Sequence, residues 1–156
     1  MSRWTAAAAR LRAIVPFVRK LSATEVDRYD VISRDLARRV WLIRVPILPG
    51  GYAGMTIGRV VFLARRTAPE TPSTLLAHEL VHVRQFSELG ILRFAWRYNL
   101  AFAQGLWRLR SWNGAYRAIP AEVEARQQAG AWAIRAFRDA ERASDRGVPP
   151  RSDDLN

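Results

Sequence analysis

A chain of 156 residues and 17.7 kDa fits one domain with a core of its own, and 49% hydrophobic against 25% charged residues excludes a disordered or fibrous chain. Cysteine is absent, which removes disulfides, thiolate nucleophiles and thiolate-bound metal, and is compatible with a reducing compartment. The formal charge of +11 rests almost wholly on arginine, with Lys20 the only lysine, and favours anionic surroundings: nucleic acid, acidic lipid or acidic peptide.

In chain order, Thr5 to Leu21 has the pattern of a basic amphipathic helix, either packed on the domain or touching a membrane surface. Arg10 and Arg12 interrupt the apolar stretch Ala6 to Val18, so no secretory leader is expected. Ser22 with Glu25 three residues on suits the capping box of a second, short helix. Val40 to Val45 is β-rich and ends at Pro46, Pro49 to Gly54 is a turn region, and Thr56 to Leu63 is the strongest strand candidate. The uncharged run Val45 to Gly58 is too short to span a bilayer and holds two prolines and four glycines. The expectation is a cytoplasmic protein with no transmembrane segment, able to sit peripherally at a membrane.

Helix signals then take over. Thr71-Pro72 reads as N-cap and first-turn proline of a helix reaching about Glu88 and stopped by Gly90. Ile91 to about Trp112 is a long helix with Arg93, Arg97, Gln104 and Arg108 along one stripe, and Trp96, Tyr98 and Trp107 expected to fill core. Asn113-Gly114 reads as a turn, Pro120 opens a third helix to about Ser144, and residues 145–156 are expected to be a disordered tail. The fold class is therefore α+β. It is a single zincin-like domain over residues 1–144, with N-terminal helices in 1–38, strands in 39–64 and three helices in 71–144. A small mixed sheet or hairpin packs on the helices.

Both histidines of the chain fall in His78-Glu79-Leu80-Val81-His82. On a helix, positions i and i+4 lie about 40° apart and one turn up, so the two imidazoles project together and can occupy two corners of a tetrahedral Zn²⁺ site. Glu79 swings about 100° from His78 and stands beside such a metal, placed to take a proton from the water it activates. An exposed helix can carry these letters by chance. Here the flanking Leu75, Leu76, Ala77, Leu80, Val81, Val83 and Phe86 mark a core helix.

With histidine exhausted, a further protein ligand has to be a carboxylate. Gln85 and Glu88 stand where the metzincin pattern needs Gly and His, and Glu88 lies about 9 Å up the axis from His82, off the histidine face. Glu122 and Glu124 are better candidates. The Glu122 face continues through Ala125, Ala129, Ala133, Ala136, Phe137 and Ala140 and reads as buried, while the Glu124 face continues through Gln127, Gln128, Arg135, Arg138 and Arg142 and reads as solvated. A buried lone carboxylate needs a cation, either a metal or an arginine. Glu122 is the leading ligand and Glu124 the reserve.

HELVH followed some 40 residues later by Glu122-x-x-Ala125 at a helix start resembles the gluzincins, the thermolysin-like zinc metallopeptidases, and among them the small single-domain minigluzincin-like proteins. The resemblance covers about Thr56 to Ala140. It implies a peptide or protein substrate that pairs with an edge strand before the motif helix, with Thr56, Gly58 and Val60 as candidate contacts. It also implies a donor that stabilises the tetrahedral oxyanion, for which Tyr98, Tyr116, Tyr52 or an arginine remain. Where the family commonly carries an aspartate that orients the first histidine, this chain has Arg126.

The leading function is a zinc-dependent metallohydrolase, a peptidase with Glu79 as general base. The alternatives are a non-catalytic zinc-containing adaptor, favoured by Arg126 and disfavoured by Glu79, and a basic binder of nucleic acid or anionic membrane through arginine-rich faces. No helix-turn-helix, RNP or zinc-finger pattern supports a nucleic-acid role.

Overall fold

The computed structural model describes residues 17–65 and 73–145, which form an α+β unit with one small mixed sheet and helices stacked against it. The chain runs β1 (Phe17–Lys20), α1 (Ala23–Arg28), α2 (Arg34–Ala37), β2 (Trp41–Val45), a 3₁₀ turn (Pro49–Gly51), β3 (Gly54–Ile57) and β4 (Val60–Ala64). Four further helices follow: α3 (Thr74–Leu89), α4 (Ile91–Leu109), α5 (Trp112–Ala118) and α6 (Pro120–Asp145).

Phe17–Lys20, inside the helix expected over Thr5 to Leu21, is a strand instead: it pairs antiparallel with β2, Phe17 opposite Arg44 and Lys20 opposite Trp41. An open strand edge offers hydrogen bonds that outweigh local helix preference. Residues 5–16 lie outside the described region. The next element behaves as its sequence suggests. Ser22 Oγ accepts the Glu25 amide at 3.2 Å, and the Ser22 amide donates to Glu25 Oε2 at 2.8 Å. Arg19 donates to the same carboxylate through both terminal nitrogens, at 2.5 and 2.7 Å, tying β1 to α1.

The strand expected from Thr56 to Leu63 is in fact two. Gly58, at φ +61°, turns the chain so that β3 folds back antiparallel on β4, with Thr56 opposite Val61 and Ile57 opposite Val60. The sheet order is β1-β2-β4-β3, with β2 and β4 parallel, so β4 is interior and β3 is an edge.

Two helix boundaries also differ. Ser73, whose Oγ accepts the Leu76 amide at 3.3 Å, is the N-cap of α3 rather than Thr71, and residues 71 and 72 are outside the described region. Gly90 ends α3 as expected, at φ +75° and with its amide on Phe86 O at 2.9 Å. The Asn113-Gly114 turn is replaced by helix α5, because Ser111 Oγ accepts the Gly114 amide and so places both residues inside the first turn. The break falls instead at Arg110, which is left-handed at φ +49°.

The core lies between the sheet, α3 and α6, around Tyr29, Val40, Leu42, Val61, Leu80, Val81, Val83, Ala125, Ala129 and Trp132. The buried face of α6 ends near Ala136; Phe137 and Ala140, expected inside, are exposed. Trp132 stacks on Tyr29 with ring centroids 4.7 Å apart and donates its indole N–H to Arg28 O at 3.0 Å. Tyr29 in turn accepts the amide of Ser73, the cap of α3. Trp132→Ala is therefore expected to cost about 3–5 kcal/mol, read as a lower urea midpoint with unchanged slope. Among the described residues no helix is long and apolar enough to cross a membrane.

Candidate metal site

Helix α3 is buried along Leu76, Ala77, Leu80, Val81 and Val83, which fixes its rotation about its own axis. That rotation sends His78 and His82 toward the first turn of α6. Their Nε2 atoms stand 3.2 Å apart, and Glu122 completes the group: Oε2 lies 3.3 Å from His78 Nε2 and Oε1 3.3 Å from His82 Nε2. One donor atom from each residue falls within 4.8 Å of the others, so His78, His82 and Glu122 could hold a metal ion.

The chemistry of the group suits a cation. Glu122 is 3% exposed, and its Oε2 is buried with no hydrogen-bond partner, the histidine contact at 3.3 Å being electrostatic rather than a formed bond. Such a buried anionic oxygen is costly unless a positive charge meets it, and Arg126 Nη1 comes only to 3.8 Å, near enough for an ion pair but not for a hydrogen bond. Burial works to raise the Glu122 pKa, but the two imidazoles outweigh it and hold the carboxyl well below the usual range. Burial likewise works to lower the His82 pKa, and Glu122 reverses this and raises it. Two imidazole nitrogens and one carboxylate are a donor set that suits Zn²⁺ and other divalent transition metals.

Further side chains aim the donors. His82 Nδ1 is 2.8 Å from Gln85 Oε1. The Gln85 amide nitrogen donates to Ala121 O at 3.1 Å and Glu124 Oε2 at 2.9 Å, which leaves its oxygen to accept the Nδ1 proton. His82 therefore presents an unprotonated Nε2 to the site when neutral. Tyr98 donates its hydroxyl to Glu122 Oε1 at 2.9 Å and orients that carboxylate from α4. Gln85→Leu should keep the fold and weaken metal affinity by about 10–100-fold, as measured by competition with a metal chelator.

Glu79 faces the same space from the next position on α3 and is 4% exposed. Thr56 on β3 donates to its Oε2 at 2.7 Å, and burial pushes its pKa up, against that hydrogen bond. Close approach of β3 depends on Gly54, where a Cβ would fall 2.5 Å from Glu79 Oε1. These groups line a cleft of about 460 Å³ whose walls include β3, the α4 residues Phe94, Ala95, Tyr98 and Asn99, and Tyr52 and Tyr116.

The structure thus brings together His78, His82, Glu122 and Glu79. It does not bring in Glu124, which accepts from Arg84 and Gln128 and acts on the site only through Gln85. Glu88 points away and pairs with Arg84 at 3.4 Å. Of the strand candidates, Thr56 is on the edge strand, Gly58 is in the hairpin turn, and Val60 is on an interior strand paired on both sides. All three tyrosines line the cleft, but the Tyr98 proton is engaged by Glu122. Burial, followed by the Glu122 charge, raises the pKa of both Tyr98 and Tyr116. Arg126 donates to Arg117 O, joining α5 to α6, with its Nη1 3.8 Å from Glu122 Oε2. Sequence reasoning missed Gln85, Gly54 and the Thr56 hydroxyl. Only Gln85 left a usable trace, three residues after His82 on the same helix face.

Residues 50–90 match the family model of the eCIS core domain. The match takes in β3, β4 and α3 with His78, Glu79 and His82, about a quarter of the chain, and stops short of Glu122. It is not a match to the gluzincins, so the likeness to that group stands on the residues alone. No curated protein and no solved structure matches the chain.

Proposed function

We propose that the protein is a zinc-dependent metallohydrolase, in the first instance a peptidase. The observation that carries this reading is the pairing of a three-donor group with a buried carboxylate, Glu79, in one cleft: a purely structural site has no use for a base beside it. A zinc ion bound by His78, His82 and Glu122 would supply Lewis-acid chemistry, polarising a carbonyl and acidifying water. Glu79 takes the proton of the attacking water and passes it to the leaving amine. Thr56 holds Glu79 in one rotamer through its 2.7 Å hydrogen bond. Edge strand β3, whose Met55, Thr56 and Ile57 line the cleft, supports an extended substrate added as a further strand. Glu122 engages the hydroxyls of both Tyr98 and Tyr116, which leaves Tyr52, its ring 5.8 Å from that of Tyr116, as the tyrosine of the cleft free of that carboxylate and the first candidate for the oxyanion role.

The test is metal content by elemental mass spectrometry on untagged protein, with a peptide-library screen before and after chelation. One zinc per chain, and cleavage lost on chelation and restored by zinc, is the expected result. No metal retained after zinc is added and the excess removed would sink the proposal, as would cleavage indifferent to chelation. The competing reading is a non-catalytic zinc adaptor, favoured by the Arg126 guanidinium 3.8 Å from a ligand oxygen. It is supported instead if zinc is bound and no substrate is cleaved.

A further inference from the structure

Helix α4 has one more face than a helix at the edge of a core needs. Phe94 and Tyr98 turn inward, yet Leu92, Trp96, Leu100 and Trp107 are 87, 70, 45 and 81% exposed. Trp96 and Trp107, expected in the core, are therefore outside it. The spacing 92, 96, 100, 103, 107 puts these residues and Ala103 on a single stripe about 22 Å long at 1.5 Å per residue. Arg93, Arg97 and Arg108 run along its flank, all exposed. Between Glu88 and Glu122 the sequence has no acidic residue and five arginines.

An apolar stripe this large on the surface of a soluble domain marks a contact. Charge decides which. A second copy laid on the stripe would set Arg93, Arg97 and Arg108 of both chains side by side, with no acidic group on α4 to offset them. Nucleic acid would satisfy the arginines but leave Leu92 and Leu100 without an apolar partner. We propose that this face lies on an anionic lipid bilayer, with Trp96, Trp107, Leu92 and Leu100 in the headgroup boundary and the arginines on lipid phosphates. Indole and aliphatic side chains beside a cationic row are the composition of a helix lying in the membrane interface. The stripe adjoins the cleft wall formed by Ala95 and Asn99, so the bound domain would hold the cleft close to the membrane surface.

The experiment is cosedimentation with vesicles of phosphatidylglycerol and phosphatidylcholine, against vesicles of phosphatidylcholine alone, with tryptophan quenching by brominated lipid. The native chain is expected to bind the anionic vesicles and to be quenched. The double variant Trp96→Ser/Trp107→Ser, with circular dichroism and metal content unchanged, should bind about tenfold more weakly. Each of Arg93→Gln, Arg97→Gln and Arg108→Gln should weaken binding by about fivefold, and moderate salt should mimic them. No binding to anionic vesicles, or binding unaltered in the double tryptophan variant, overturns the proposal. So does a dimer of the native chain that the same tryptophan changes dissociate, or a preference for DNA over vesicles at equal salt. All of these readouts are independent of hydrolysis.

Discussion

Replacing Glu122 by alanine is expected to leave the chain folded and unable to retain metal through dialysis. The native chain should hold one equivalent. The carboxylate supplies the only negative charge among the three donors, with oxygens 3.3 Å from each imidazole Nε2. Without it a dication would meet two neutral imidazoles from one helix. The loss should exceed the roughly 10–100-fold typical when an outer partner of a ligand is removed. Glu124→Ala is the informative companion. It removes a half-exposed carboxylate that holds the Gln85 amide, so metal should be retained with weaker affinity. Metal kept by Glu122→Ala and lost by Glu124→Ala would reverse the assignment of the third ligand. Unfolding of Glu122→Ala would itself be informative, since its metal-free stability depends on how well Tyr98 and the two imidazoles tolerate losing their shared partner.

That Glu122 rather than Glu124 joins the two histidines was legible in the sequence because helical phase separates the two glutamates by about 160° as viewed down the axis, given two steps of about 100° each. The alanines at 125 and 129 then showed which side is buried. The same reasoning overran at Phe137, since periodicity says which face turns inward but not where the neighbouring element ends. Helix α3 carries buried residues almost all round, so its existence was plain and its cap was not. Ser73 is the cap that the Thr71-Pro72 signal placed two residues earlier, at Thr71. Three other features depended on partners distant in sequence. Phe17–Lys20 became a strand because β2 had an edge to offer. Trp96 and Trp107 stayed outside because nothing among the described residues packs over that side of α4. Gly54 and Thr56 looked like ordinary strand residues, and their meaning comes from Glu79 arriving from 25 and 23 positions away.

Replacing Glu79 by glutamine should lower hydrolysis by about 10²–10⁴-fold while leaving the metal in place. Glutamine has the same shape, and shape matters here: the carboxylate sits under Gly54, where even one added carbon would collide with it. Its amide oxygen can still accept the Thr56 hydroxyl, so the variant keeps the geometry and loses only the ability to carry a proton. Metal content should not change, because Glu79 is outside the three-donor group. The two readouts together separate the candidate roles. Hydrolysis lost with metal kept fits a general base. Metal lost along with hydrolysis would make Glu79 a ligand, and a rate unaltered by the change would exclude it from proton transfer. A native chain that binds zinc, cleaves nothing and is indistinguishable from Glu79→Gln would leave the buried carboxylate with only its hydrogen bond to β3. The closeness of Arg126 to Glu122 would then read as the mark of a centre retained for its fold.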